Sequence, residues 1–355
     1  MAQATASPQE NQASDPQATE GGGVANFITS RLGLERIEQF SLSHLFSETF
    51  KKHEPEAIED LFCVGGSLST PPLTEAMKKF PTPWVFFRAL LTSAFLFGVF
   101  LAMFYLTSNL KMIPGIMILG SFAVPLATLI LFFEMNSPRN VSMYRVLSFV
   151  FAGGTASLFL TLFVVDPLAN SLLGDYYSIF GAGVAGIVEE SAKVATVIFL
   201  LSLFPPNRYP YRLNALLFGA AVGAGFAAFE SAGYALEYGL LLNGGVGAMV
   251  GTILIRALFT PLCHIAWTAI TCAAYWNARQ QHASALEAVA SPIFVKLFTV
   301  PVVLHFAWNT VGIVWIQITL GLVAWVILIS LIQSGLKDIQ VELQAPNTQS
   351  GQEMA

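Results

Sequence analysis

Apolar residues dominate the chain from Trp84 to Gln333, where long hydrophobic runs follow one another with only short polar breaks between them. A helix that crosses the hydrocarbon core of a bilayer needs about 20 consecutive, largely apolar residues. The sixth run is overlong and contains Pro261, which predicts either a kink or a first part that does not span the membrane. The pattern predicts about eight spanning helices, although seven or nine also fit it: residues 84–107, 112–133, 143–165, 178–203, 212–236, 248–277, 292–312 and 314–334.

The composition agrees with this pattern. Of the 355 residues, 55% are hydrophobic and 11% are charged, and the mean hydropathy is +0.64. Soluble proteins carry about 25% charged residues, so the composition excludes an ordinary soluble protein. We predict an all-α fold, a polytopic helical bundle embedded in a lipid bilayer. No basic cluster indicates a nucleic-acid partner, and the three cysteines lack the spacing of a disulfide framework or a metal site.

Polar segments at both ends of the apolar region complete the predicted domain organisation. Residues 1–24 contain neither Lys nor Arg and no apolar stretch, so we interpret them as a disordered tail rather than a signal peptide. The mixed residues 25–80 predict a short cytoplasmic region of amphipathic helices and a linker. Residues 81–335 are the predicted membrane domain, and residues 336–355 a second disordered tail.

Lys and Arg concentrate in alternate connections between the predicted helices. The opposite connections hold Lys111 and Arg256, beside Asp166 and Asp175. Because Lys and Arg are enriched on the cytoplasmic side of membrane proteins, we expect both termini to lie in the cytoplasm. The cytoplasmic set is Lys78, Lys79, Arg139, Arg145, Arg208, Arg212, Arg279, Lys296 and Lys337.

Three charged residues interrupt the fourth predicted helix, in the stretch GIVEESAK. Glu189 and Lys193 are four residues apart and share a helical face, whereas Glu190 points about 100° away. Glu189 and Lys193 could be an internal ion pair with no further function, but the second glutamate, Glu190, needs another explanation. An acidic residue at the centre of a membrane helix costs about 3 kcal/mol, and such residues typically mark a functional interior. Both glutamates are therefore candidate catalytic residues, with Lys193 in support.

Three further predicted helices carry polar residues of the same kind. Phe226 and Glu230 are four residues apart on the fifth, and His264 and His305 lie in the similar stretches HIAWT and HFAWN, the second of which ends with Asn309. At 1.5 Å per residue, the glutamates and histidines of the four helices lie about 9 to 24 Å below the outer surface. Their overlapping depth predicts one buried site, to which Phe226 contributes packing.

Glutamate and histidine side chains placed together can take a proton from water and later protonate a leaving amine. Asn309 could donate its amide hydrogens to a developing oxyanion. No serine or cysteine pairs evidently with the histidines, so attack of activated water on a peptide carbonyl is the simplest chemistry that uses all of these groups. A zinc-dependent version stays open, with His264, His305 and Glu230 as candidate ligands, although no His-Glu-x-x-His motif occurs.

Two other functions fit parts of the pattern. Intramembrane carboxylates and histidines also form proton relays, so a proton- or cation-coupled transporter is the main alternative. The chain shows no inverted repeat of the kind found in many transporters, which weighs against it. A catalytically inert scaffold is the other alternative, and the presence of all the glutamates and histidines weighs against that.

The order EExxK, FxxxE, HxxWT and HxxxN, starting at Glu189, Phe226, His264 and His305, resembles the PrsW family of intramembrane proteases. That family belongs to a larger group with the CAAX prenyl endopeptidases and bacteriocin-processing enzymes. The resemblance covers residues 60–335 and implies a peptidase of a bacterial cytoplasmic membrane, acting on a membrane protein such as a single-pass anti-sigma factor. The CAAX branch has histidine where this chain has Glu230, so prenyl-protein processing is not expected. Both metal-dependent and glutamate-dependent mechanisms have been described for the family.

Overall fold

The structure, a computed structural model, describes residues 23–35, 41–54, 56–66, 68–76, 81–165, 167, 171, 179–205 and 208–344. Within these residues the chain forms helices and no strands, as the hydrophobic pattern predicts. Four short helices come first: α1 (Gly23–Leu32), α2 (Leu42–Leu45), α3 (Glu56–Phe62) and α4 (Leu73–Ala76). The helices of the membrane domain are α5 (Val85–Thr107), α6 (Ile113–Met135), α7 (Met143–Ser148), α8 (Gly154–Leu160), α9 (Ile179–Ser202), α10 (Arg212–Leu236), α11 (Gly245–Phe259), α12 (His264–Arg279), α13 (Ala285–Ala290), α14 (Pro292–Thr310) and α15 (Val314–Gln344).

Seven helical stretches of the described chain are long and apolar enough to cross a membrane. The 24-residue α9 is also long enough, but three charged residues within it set it apart from the seven. Together these correspond to the eight predicted helices. The predicted third helix is α7 and α8 joined by a π-helical turn (Phe149–Gly153), followed by a second such turn (Thr161–Val165).

The helices α10 and α12 form the centre of the bundle and are buried along most of their length. Small residues allow their backbones to approach closely. A β-carbon on Gly223 of α10 would come within 2.6 Å of the carbonyl oxygen of His264, and one on Gly225 within 2.1 Å of the carbonyl oxygen of Val150. Gly223 therefore sets how near the first turn of α12 lies to α10, and Gly225 sets how near the π-helical turn with Val150 lies to α10.

The sixth predicted helix is broken at the predicted proline. Helix α11 ends at Phe259, a single 3₁₀ turn follows, and Cys263 has non-helical angles (φ −120°, ψ −105°) before α12 begins at His264. Pro261 has no N–H to continue the helix. The indole of Trp325 donates to the Pro261 carbonyl at 2.9 Å, and the Thr260 hydroxyl donates to the Arg256 carbonyl at 2.7 Å. The break thus has its own hydrogen bonds and starts a new helix at a histidine.

Three buried asparagines join the connection after α6 to the start of α10. The Asn214 side-chain amide donates to Asn136 at 2.8 Å, and the Asn140 amide donates to Asn214 at 3.1 Å. The Asn214 oxygen also accepts the backbone N–H of Tyr211 at 3.2 Å. These bonds fix the end of α10 opposite to the one that carries Glu230.

The segment before the membrane domain packs against it. Leu45 of α2 is buried in the main hydrophobic core, and the ring of His53 stacks on Trp84 at 3.8 Å. Glu134, near the end of α6, accepts the backbone N–H groups of Trp84, Val85 and Phe86 at 2.7 to 2.9 Å. The carboxylate therefore caps the start of α5, where helical N–H groups have no partner of their own.

Part of each predicted disordered tail is helical in the structure. Residues 336–344 continue α15, in place of the expected disordered tail, because Leu336 and Ile339 are buried and Asp338 pairs with Arg212 at 3.3 Å. Residues 345–355 lie outside the described residues. The same holds for residues 1–22 of the predicted N-terminal tail, while residues 23 and 24 belong to α1.

Candidate active site

The ammonium group of Lys193, on α9, lies at the centre of a polar cluster inside the bundle. The Lys193 side chain is fully buried. Its Nζ donates to Glu189 Oε2 at 3.2 Å and to Glu190 Oε1 at 2.9 Å, and lies 2.9 Å from His264 Nδ1. The ring centroid of Phe226 is 4.0 Å from Nζ, so an aromatic face covers the cation. Lys193 is therefore more than the partner of one glutamate, because it joins α9, α10 and α12.

His305, on α14, binds the buried glutamate. Its Nδ1 lies 3.0 Å from Glu190 Oε1, and its Nε2 lies 3.8 Å from Glu189 Oε2. An ionised carboxylate only accepts hydrogen bonds, so we assign the His305 proton to Nδ1. The unprotonated Nε2 then faces Glu189. The ring of Trp267 lies against His305, with centroids 4.6 Å apart and an angle of 32° between the planes.

His264, on α12, is held in the same way by another glutamate. Its Nε2 lies 3.1 Å from Glu230 Oε2, while its Nδ1 faces Lys193 and lies 3.8 Å from Glu189 Oε2. We assign the His264 proton to Nε2, because the carboxylate accepts there and the ammonium group donates to the other nitrogen. Both histidines thus present an unprotonated nitrogen to the same oxygen of Glu189.

Arg256, on α11, completes the cluster in a role that the sequence pattern does not predict. Its Nη2 donates to Glu230 Oε2, its Nε donates to Ser231 Oγ at 2.9 Å, and its guanidinium lies 4.4 Å from the ring centroid of Tyr234. The charge pattern alone assigns Arg256 to an outer connection. A signal was available, because Arg256 stands in an otherwise apolar run eight residues before His264, and intramembrane cations normally have a partner.

Exposure changes from one end of the cluster to the other. The side chains of Glu190 and Lys193 have no exposed surface, whereas 10% of Glu189, 14% of Glu230 and 24% of Arg256 remain exposed. The cluster is therefore closed around Glu190 and opens near Arg256.

The structure brings most of the predicted site residues together: Glu189, Glu190, Lys193, Phe226, Glu230, His264 and His305. Asn309 lies one helical turn beyond His305 and is exposed. Its function at an oxyanion stays a prediction.

Three described side chains could hold a metal ion: Glu189, His264 and His305, whose ligand atoms lie within 4.8 Å of one another. The predicted carboxylate was Glu230, but its Oε2 is bound by Arg256 and by the protonated nitrogen of His264. Two imidazoles and a carboxylate are a usual zinc donor set in catalytic sites, so these residues fit the ion. Lys193 Nζ contacts two of the same atoms, so a metal ion and the ammonium group would compete for His264 Nδ1 and Glu189 Oε2.

The fold and the cluster together define a polytopic membrane protein with a buried carboxylate–imidazole site suited to hydrolysis. A family model described as PrsW family intramembrane metalloprotease matches residues 142–332, which is more than half of the chain. The chain belongs to this family, as its motifs predict, and is an integral membrane peptidase. The matched segment contains every residue of the cluster. Comparison with curated proteins and with solved structures gave no match.

Proposed function

We propose that the chain is an intramembrane endopeptidase that hydrolyses a peptide bond of a membrane-associated protein with water activated by glutamate and histidine. The observation that carries this proposal is the convergence of three glutamates and two histidines from four helices around Lys193. Isolated buried charges are unfavourable in a membrane, and a cluster of acids and imidazoles is suited to proton transfer. The family match supports the peptidase over the transporter.

Glu189 is the better candidate for activating water. Its side chain is partly exposed, and its Oε2 is 3.8 Å from an unprotonated nitrogen of each histidine. Water bound at this oxygen would lie beside both imidazoles, which can hold its proton and return it to the leaving amine.

Glu190 has a supporting part in this mechanism. Its side chain is fully buried, and its Oε1 accepts from both Lys193 and His305. Glu190 therefore orients His305, directing its Nε2 toward Glu189, and holds the ammonium group beside both carboxylates.

A zinc ion held by Glu189, His264 and His305 would polarise the peptide carbonyl and the attacking water when bound. Lys193 would keep its contact with Glu190 in that state, so the positive charge of its ammonium group would still offset the second glutamate. Phe226 and Trp267 would exclude bulk water from the closed end of the cluster, where electrostatic interactions are stronger than in water.

The substrate we propose is a membrane-anchored protein, of which a single-pass anti-sigma factor is an example. The Lys and Arg residues in alternate connections between the helices support an orientation with both termini in the cytoplasm of a bacterial cell. In that orientation the cluster lies in the outer half of the cytoplasmic membrane, and cleavage would occur toward the extracytoplasmic side.

The proposal is tested by comparing the membrane proteomes of strains that carry the wild-type chain, Glu189→Gln and Glu237→Gln. Glu237 is an exposed glutamate two helical turns beyond Glu230 and serves as the matched control. We expect one membrane-anchored protein to accumulate uncut with Glu189→Gln and to be cut normally with Glu237→Gln. Full cleavage by both the Glu189→Gln and the Glu190→Gln proteins would refute the mechanism.

A further inference from the structure

The carboxylate of Glu230 is held from two sides at one oxygen. Its Oε2 accepts from Arg256 Nη2 of α11 and from His264 Nε2 of α12. Arg256 and His264 lie on opposite sides of the helix break, so both halves of the broken helix bind the same carboxylate.

We propose that Arg256 is a positioning residue that acts through Glu230 to hold His264 in the tautomer whose unprotonated Nδ1 faces Glu189. This inference rests on the proposed function, since it assigns to His264 a place beside the attacking water.

The surroundings of Arg256 support a positioning role. Its Nε donates to Ser231 Oγ at 2.9 Å and its guanidinium covers the ring of Tyr234, so these two contacts and the one to Glu230 fix its plane against α10. A guanidinium presents several donors in a rigid fork, which an ammonium group does not. The hydrogen bond to Glu230 therefore has a defined direction, and Glu230 Oε2 is kept at His264 Nε2.

The Glu230 carboxylate determines which His264 nitrogen carries the proton. In the other tautomer, a protonated Nδ1 would point at the Lys193 ammonium group 2.9 Å away, and Nε2 would face a carboxylate without a hydrogen between them. The Glu230 side chain is 14% exposed, so without Arg256 it can turn toward the open end of the cluster and release His264. A hydrogen bond from one ring nitrogen to a carboxylate commonly sets the tautomer of a histidine whose other ring nitrogen reacts or binds a metal.

Nitrogen-15 NMR of the full chain in detergent micelles, labelled at histidine, tests this directly. The chain has five histidines, and His264→Gln assigns the signal. We compare the wild-type protein with Arg256→Met and with Arg212→Met, a control that removes another arginine paired to a carboxylate, at the far end of α10. We expect a single Nε2–H tautomer in the wild type and the control, and a mixture of tautomers in Arg256→Met.

Kinetics provide the second readout. Loss of a residue that orients a catalytic histidine typically lowers activity about 10- to 100-fold, so we expect Arg256→Met to lower kcat by that factor with KM changed less than about twofold. Because Arg256 acts through Glu230, the double variant with Glu230→Gln should be no slower than the slower single variant. Arg256→Lys should recover part of kcat.

Unchanged His264 signals in a folded Arg256→Met protein would overturn the inference, as would multiplicative losses of kcat in the double variant. The NMR result does not depend on substrate. Cleavage by the wild type with an unaltered tautomer in Arg256→Met would refute this inference alone, whereas a shifted tautomer in a protein that cleaves nothing would refute the proposed function alone.

Discussion

Replacing Lys193 with methionine tests whether the ammonium group holds the cluster together. The substitution removes the only cation that contacts both Glu189 and Glu190 among the described residues, while keeping a long apolar chain beside Phe226. Breaking a buried ion pair by removing one partner typically costs about 3 to 5 kcal/mol, because the remaining charge is left uncompensated. Lys193 and Glu190 have no exposed surface, so we expect a loss of that size.

The free energy of unfolding is measured in mixed micelles by tryptophan fluorescence. Lys337→Met is the matched control, because Lys337 pairs with Glu35 at 3.0 Å but both side chains are more than 40% exposed. Exposed pairs contribute about 0 to 1 kcal/mol. A loss for Lys193→Met no larger than that of Lys337→Met would refute the reasoning.

A double variant checks the cause of the loss. Adding Glu190→Gln to Lys193→Met removes one of the two negative charges that faced Lys193. Positions 189, 190 and 193 together then carry one excess negative charge, as they do in the wild type. We expect the double variant to recover at least half of the lost stability, since replacing both partners of a buried pair is often close to neutral. A further loss would mean that packing, and not charge, is responsible.

Three further changes have defined outcomes. Glu189→Gln should lower cleavage of the accumulated substrate about 100- to 10,000-fold, the range for removing a general base, while the protein unfolds as the wild type does. Cleavage by purified protein should survive thorough chelation, because the proposed water is held by Glu189 beside two unprotonated imidazole nitrogens and needs no ion. Asn214→Leu should lower the free energy of unfolding by about 1 to 3 kcal/mol, because it leaves the Asn136 and Asn140 amides buried without this partner.

Each of these expectations has a result against it. Cleavage that is kept by Glu189→Gln but lost in an inserted Glu190→Gln protein would contradict this assignment and make Glu190 the base. Loss of cleavage on chelation that added zinc restores would contradict activation of water by Glu189 and the imidazoles without an ion, and would assign Glu189, His264 and His305 to the ion. An Asn214→Leu protein as stable as the wild type would show that the three asparagines do not stabilise the end of α10.

The hydrophobic pattern predicts the helices well because the bilayer requires a length and a composition that few other structures share. The same reasoning finds Glu189, Glu190, Glu230 and the two histidines, since ionisable residues stand out in apolar runs. The sequence does not predict how the helices that carry these residues are rotated relative to one another. Which carboxylate faces both histidines depends on how four helices turn about their axes, and the sequence indicates only which residues share a face of one helix.

Arg256 and Lys193 show where charge alone misleads. Arg256 lies so close to a polar connection that its charge alone indicates membrane orientation, whereas its contacts are with Glu230, Ser231 and Tyr234 inside the bundle. The spacing along α9 predicts that Lys193 pairs with one glutamate four residues away. Its contact with His264 comes from a helix 71 residues distant in the chain, which spacing along α9 does not reveal.

The break between α11 and α12 bears on how the protein moves. A proline within a helix is often treated as a pivot, yet here the Pro261 carbonyl is bound by Trp325, and the N–H groups of Cys263 and Trp267 bond to Thr260 and Cys263. A segment joined by this many hydrogen bonds should exchange its amide protons slowly and keep its angle. The break is then a rigid corner, and the motion that admits a polypeptide to the cluster should take place between helices rather than within this one.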